Sequence, residues 1–229
     1  TLYSYNGEQY VLDEELQMGN GYWIHFESEG TAQLSGTPVN ELTLELNTGW
    51  NLISGISSEV ALSGISDPEN IVVPGTIFEY TDLYDYATVL TPGYGYWIYA
   101  STAGSITISN GNAARTNAFD SKNLDKVNKL SFNGSNLYFG VSISEEEMLS
   151  YSLPPKPPTG AFDVRFKDGW RAVKDYGVVE VMPTTETLTI AYDIMLNAGE
   201  HHNWVLSSET LDDYVLEDAG ELTVPSAER

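Results

Sequence analysis

The stretch Leu42-Thr43-Leu44-Glu45-Leu46-Asn47-Thr48-Gly49-Trp50-Asn51-Leu52-Ile53-Ser54 decides the fold class. Successive side chains on extended backbone point to opposite sides, so Leu42, Leu44 and Leu46 share one face of a strand. Asn47-Thr48-Gly49 supplies turn residues, with glycine where positive φ is tolerated, and Trp50 and Leu52 open a second strand. A β-hairpin is expected. Downstream, Phe78-Glu79-Tyr80 runs on to Gly93-Tyr94-Gly95-Tyr96-Trp97-Ile98, and near the start Tyr3-Ser4-Tyr5 runs on to Gly19-Asn20-Gly21-Tyr22-Trp23-Ile24. The same phrase is written twice, the mark of stacked supersecondary units.

The two copies are unequal. No counterpart of residues 42–54 precedes the first, so the chain is expected to start in mid-repeat, leaving a sheet short of a strand and an open edge at Leu2, Tyr3, Ser4 and Tyr5. In the GYW phrases Tyr22 and Ile24 point one way and Trp23 the other, and Tyr96, Ile98 and Trp97 repeat the arrangement. The glycine two residues before each Trp fits a bulge or a close backbone approach. Recurrence of Trp23 and Trp97 at one repeat position marks them as scaffold, since large aromatics dominate core burial.

Alternation at period two prevails along the whole chain, and no window of 11 to 18 residues carries a 3.6-residue apolar stripe, so the fold class is all-β. The small polar run Ser109-Asn110-Gly111-Asn112-Ala113-Ala114 divides the chain into a GYW-repeat β domain over 1–110 and a terminal, immunoglobulin-like β-sandwich over 111–229. In the second domain Leu188, Ile190, Tyr192 and Ile194 alternate with polar neighbours. Trp204-Val205-Leu206, Tyr214-Val215-Leu216 and Glu221-Leu222-Thr223-Val224 read as further short strands. Ser144 with Glu147 forms a capping box, which predicts one or two helical turns. Leu153-Pro154-Pro155-Lys156-Pro157-Pro158 predicts an extended crossing, since proline cannot donate to a central ladder.

Composition narrows function. The 229 residues carry 33 Asp and Glu against 10 Lys and Arg, a formal charge of −23. All ten bases lie at or beyond Arg115, so residues 1–114 are acidic throughout, which excludes nucleic acid and disfavours anionic membrane surfaces. Such a charge also keeps a protein soluble. Cysteine is absent, which removes thiol catalysis, disulfides and cysteine metal sites together. No run of about 18 apolar residues suggests a membrane-spanning helix, and the first residues shown carry no charged-then-apolar export pattern.

Few residues point to chemistry. The Gly-x-Ser-x-Gly elbow, His-Glu-x-x-His and Gly-x-x-x-x-Gly-Lys patterns are all missing, so no catalytic residue and no cofactor are expected. His201 and His202, adjacent on a strand, face opposite ways and share one ion only if the backbone turns, as Gly199 permits. Asp82 and Asp85, and Asp67 with Glu69, offer the hard oxygens that calcium takes, but equally suit solvated turns. Tyr84, Tyr86 and Tyr94 lie in loops of the second repeat and are the candidate sugar-stacking rings, because a ring with a polar tip suits half-wet contacts.

The pairing of Gly49-Trp50-Asn51-Leu52-Ile53-Ser54 with Pro92-Gly93-Tyr94-Gly95-Tyr96-Trp97-Ile98 resembles the GWNLIS/GYW β repeats of large secreted bacterial surface proteins. The run from Leu137-Tyr138-Phe139-Gly140 through Pro154 to Phe166 resembles the module at their carboxyl end, which a sorting domain for type IX secretion commonly follows. The chain stops at Leu222-Thr223-Val224-Pro225-Ser226-Ala227-Glu228-Arg229, about where that domain would begin, as expected after its removal on export or after trimming at the same boundary. The resemblance implies an extracellular or outer-surface location and β-sandwich modules, and brings no catalytic residues. Together these readings lead to a non-enzymatic structural or adhesive module whose partners are copies of itself or other surface proteins. The alternatives are a filament or layer subunit assembled by β-strand addition, and a carbohydrate-binding accessory module with polysaccharide as partner.

Overall fold

A computed structural model describes residues 1–31, 35–110, 124, 127–145, 147–195, 203–208 and 213–226. The protein is all-β, and its only described helical pieces are short 3-10 turns. It divides into two compact units, Thr1–Phe119 and Asp120–Arg229. The expected boundary, between 110 and 111, falls ahead of that division, and the stretch 111–123 lies outside the described residues.

In the first unit, β1 (Leu2–Tyr5), β2 (Tyr10–Asp13) and β3 (Trp23–Ile24) form a three-stranded sheet in the order β2-β1-β3. β4 (Glu41–Leu46), β5 (Gly49–Ser54), β6 (Val60–Ala61) and β7 (Ile65–Ser66) follow. The second repeat continues as β8 (Phe78–Tyr80), β9 (Tyr84–Tyr86), β10 (Val89–Leu90), β11 (Gly95–Ala100) and β12 (Gly104–Ser109). Two sheets, β5-β11-β8-β9 and β4-β12-β7, enclose an apolar core of Leu44, Leu46, Ile53, Ile65, Tyr96, Ile98, Ile106 and Ile108. Each such side chain taken fully from water contributes roughly 1.5–3 kcal/mol.

The expected β4–β5 hairpin is not one. β4 pairs with β12 and β5 with β11, so the Asn47–Gly49 turn is an arch that carries the chain from one sheet to the other. The cause is apolar on both sides: Leu44 and Leu46 before the turn and Ile53 after it all bury in the same interior, so their strands face one another across the core. Asn51 fixes the bend by donating from Nδ2 to the carbonyls of Asn47 (2.8 Å) and Gly49 (3.0 Å), while its Oδ1 accepts from Asn47 N–H (2.9 Å). Gly49 adopts φ 97°.

The second unit holds β13 (Asn128–Phe132), β14 (Ser135–Phe139), β15 (Asp163–Phe166), β16 (Ala172–Val173), β17 (Val179–Met182), β18 (Thr187–Asp193), β19 (Trp204–Leu206), β20 (Tyr214–Leu216) and β21 (Ala219–Pro225). Five of them make one sheet, β16-β14-β13-β18-β21, with β14 and β16 parallel; β15-β17 and β19-β20 are two-stranded. The alternation expected for Leu188, Ile190 and Tyr192 is realised, as all three are buried. The capping box also forms: Ser144 Oγ donates to Glu147 Oε2 (2.8 Å) and Glu147 N–H to Ser144 Oγ (3.3 Å), ahead of a 3-10 turn at Met148–Tyr151.

Sequence patterning did not reveal the buried ion pair of this unit. Arg165 donates from Nε and Nη2 to the two carboxylate oxygens of Asp163 (2.6 and 2.8 Å), and from Nη1 to Pro154 O (2.7 Å). Both side chains are almost fully buried, on the face of β15 opposite Val164 and Phe166. The fork thus ties the proline-rich crossing to the strand. Replacing Arg165 by Met strands the Asp163 carboxylate, and a loss of about 3–5 kcal/mol is expected in urea unfolding. The double substitution Arg165→Met with Asp163→Leu should recover much of it, as removal of both charges leaves none uncompensated.

Candidate interaction surface

The two GYW phrases build the same loop twice. Tyr22 Oη accepts a hydrogen bond from Gln17 N–H (2.9 Å), and Tyr96 Oη accepts one from Thr91 N–H (2.7 Å), each across five residues. Asn20 N–H bonds Gln17 O, as Tyr94 N–H bonds Thr91 O. Gly19 and Gly93 hold matching positive φ values, 91° and 85°. The phrase therefore encodes a tyrosine-anchored turn feeding a strand.

Gly21 and Gly95 meet. A Cβ at Gly95 would lie 3.6 Å from Gly21 Cα, and one at Gly21 would come to 2.5 Å from the Ile53 carbonyl oxygen. The tight contact of Gly21 is thus with β5, which bonds it through Gly21 N–H to Leu52 O (3.0 Å) and Ser54 N–H to Gly19 O (2.9 Å). The aromatic faces of the two repeats also come together reciprocally. Tyr5 of the first meets Trp97 of the second edge-on at 4.9 Å, and Tyr80 of the second meets Trp23 of the first at 4.7 Å. Tyr10 touches both tryptophans, at 6.4 and 6.2 Å, and Trp50 and Phe78 extend the layer. Trp97 is 1% exposed, and neither indole N–H has a hydrogen-bond acceptor among the described residues, so both rings act through packing. Their scaffold role follows from this placement.

The other candidates disperse. Tyr84 is buried against Phe78 and Tyr80 (6.5 and 5.1 Å), Tyr86 is tilted over Phe78 at 4.8 Å, and Tyr94 presents its ring to solvent. Asp82 and Asp85 are both exposed; Asp85 Oδ1 accepts from Tyr86 N–H (2.8 Å). Asp67 uses its two oxygens on the N–H groups of Ile71 and Val72 (3.0 and 2.8 Å), a turn-holding role. His25 pairs through its backbone with Thr1, and its side chain is exposed. His201 and His202 lie outside the described residues. Among the described residues no three His, Asp or Glu side chains converge on a common point.

The edge expected at Leu2, Tyr3, Ser4 and Tyr5 is occupied. β1 is the middle strand of its sheet, paired with β2 through Leu2↔Asp13 to Tyr5↔Tyr10 and with β3 through Leu2↔Ile24 and Tyr3↔Trp23. The sequence pattern misplaces the edge because the Asn6-Gly7 turn folds residues 10–13 back as a partner, with Asn6 Oδ1 accepting from Glu8 and Gln9 N–H. The strands at the rims are β2 and β3. Where the first repeat meets the β4–β5 arch there is a hollow of about 130 Å³, lined by Ser4, Tyr5, Asn20, Glu45, Trp50 and Asn51 among others. That is room for a few waters, well below the 300–1,000 Å³ or so usual for small-molecule sites.

Comparison with known protein families, curated proteins and solved structures finds no match.

Two outcomes check this geometry. Gly21→Ala should cost about 1–3 kcal/mol in urea unfolding, because its Cβ meets backbone that cannot turn away, whereas Gly30→Ala, with open space around it, should be near neutral. Tyr5 binds its phenolic proton more tightly than the ordinary 10.0, first because of burial and then because of the Glu8 charge. The unfolded chain therefore releases that proton at lower pH than the folded one. Stability is retained below the ordinary value and falls as pH rises through it, so thermal scans should show the melting point dropping at alkaline pH, less so in Tyr5→Phe.

Proposed function

We propose that the chain is a non-enzymatic structural or adhesive module of a secreted bacterial surface protein, one in which GYW-type repeats stack on one another. The observation that carries this reading is the reciprocal Tyr5–Trp97 and Tyr80–Trp23 packing. It devotes the repeat's distinctive residues to holding one copy against the next. The acidic first unit, with no Lys or Arg before residue 115, supports an exposed, self-repelling surface in an external medium. The resemblance of residues 49–54 and 92–98 to repeats of type IX secretion cargo supports the outer-surface location. Partners on this reading are further repeats and other surface proteins.

Incubation of the purified chain with polysaccharide and peptide polymers should yield no products, while the chain remains bound to cell-envelope material of a type IX-secreting bacterium. Polymer turnover that is lost on changing one carboxylate pair to amides would overturn the reading. A carbohydrate-binding role is a second reading, favoured by the 52% exposure of Tyr94. Glycan titration should then shift tyrosine fluorescence in the native chain and leave Tyr94→Ala unmoved.

A further inference from the structure

We infer that the outer face and free edge of the first repeat's sheet form a docking site for a β-arch of the β4–β5 type, supplied by a partner polypeptide that carries the Leu-x-Leu-x-Leu-Asn-x-Gly-Trp-Asn-Leu-Ile-Ser pattern. The inference deepens the stacked-repeat reading and rests on it. The second repeat shows what covers this face. Its Leu90, Ile98 and Ala100 are each 0% exposed, inside the core completed by β4 and β12. Their counterparts in the first repeat, at the same spacing from the GYW phrase, are Leu16, Ile24 and Phe26, and these are 57%, 47% and 69% exposed.

The edge beside that face is open too. His25 N–H bonds Thr1 O and Gly21 N–H bonds Leu52 O, so residues 21 and 25 direct their backbone groups to the side held by β1 and β5. On extended backbone the polar groups alternate from side to side, so Tyr22 and Ile24 direct theirs to the opposite edge, where β3 ends its sheet. In the second repeat that same side of β11 is filled by β5, from Gly95↔Ser54 to Ala100↔Gly49. Strand addition gives the incoming segment main-chain bonds along β3, and its apolar side chains cover Ile24 and Phe26. A sheet edge next to exposed apolar side chains is a template for such pairing.

The test uses the full chain and a synthetic peptide of residues 40–57, with hydrogen exchange as the readout. Peptide in excess should slow exchange at residues 22–26 by about tenfold or more, as expected when an open edge becomes a paired one. Ile24→Asp, at an exposed position, should keep the native circular dichroism and lose that protection. A peptide carrying Leu44→Asp and Ile53→Asp should give none. Unchanged exchange at 22–26 overturns the docking site while leaving the stacked-module reading in place. Protection that survives Ile24→Asp also overturns it, since the peptide is then exchanging into the second repeat. Polymer turnover, by contrast, would remove the module reading whatever the peptide does.

Discussion

The first unit depends on one close approach, that of Gly21 to the β5 backbone, where a Cβ would come to 2.5 Å from Ile53 O. Only a residue without a Cβ fits there, and Gly95, its counterpart in the second repeat, packs on Gly21 at ordinary van der Waals distance. Across the two repeats Tyr5 lies against Trp97 and Tyr80 against Trp23, and the layer grows outward through Tyr10, Trp50 and Phe78. Edge-to-face pairs of this kind add about 0.5–1.5 kcal/mol each beyond their buried area. Several together are a sizeable share of a typical domain's stability of roughly 5–15 kcal/mol.

A GYW phrase therefore does three separate jobs. Its first glycine turns the chain at positive φ, its tyrosine hydroxyl takes a backbone N–H five residues back, and its tryptophan faces the other repeat. The alternate residues Tyr96 and Ile98 face the aliphatic interior. One strand thus serves two cores, aliphatic on one side and aromatic on the other. In the first repeat the aromatic side is complete and the aliphatic side is open, which leaves Leu16, Ile24 and Phe26 exposed, with Leu12 and Met18 exposed as well.

Much of this was legible from residue pattern. Period-two alternation gave the all-β class, the internal repeat gave the equivalence of Trp23 with Trp97, and the glycine before each GYW strand signalled a close backbone contact. The β4–β5 connection was misread because turn chemistry is local: Asn-x-Gly serves a hairpin or an arch, and only the burial of Leu44, Leu46 and Ile53 in one core selects the arch. The open edge was misplaced for a similar reason, since the pairing of β1 with β2 depends on the Asn6-Gly7 turn. The Asp163–Arg165 fork was invisible because charges two apart on a strand ordinarily face water, and only the packing of the Pro154 segment over them makes them a buried pair. Tyr84 has loop-like neighbours in sequence, but the β8–β9 hairpin draws it into the aromatic layer.

The claim most exposed to test is that the repeats are held together by reciprocal aromatic packing. A double-mutant cycle on Tyr5→Ala and Trp97→Ala, read by urea unfolding, measures it directly. A coupling of about 0.5–1.5 kcal/mol is expected for rings in edge-on contact. Additive losses, with no coupling beyond error, would show that the two rings do not stabilise one another and would contradict the account.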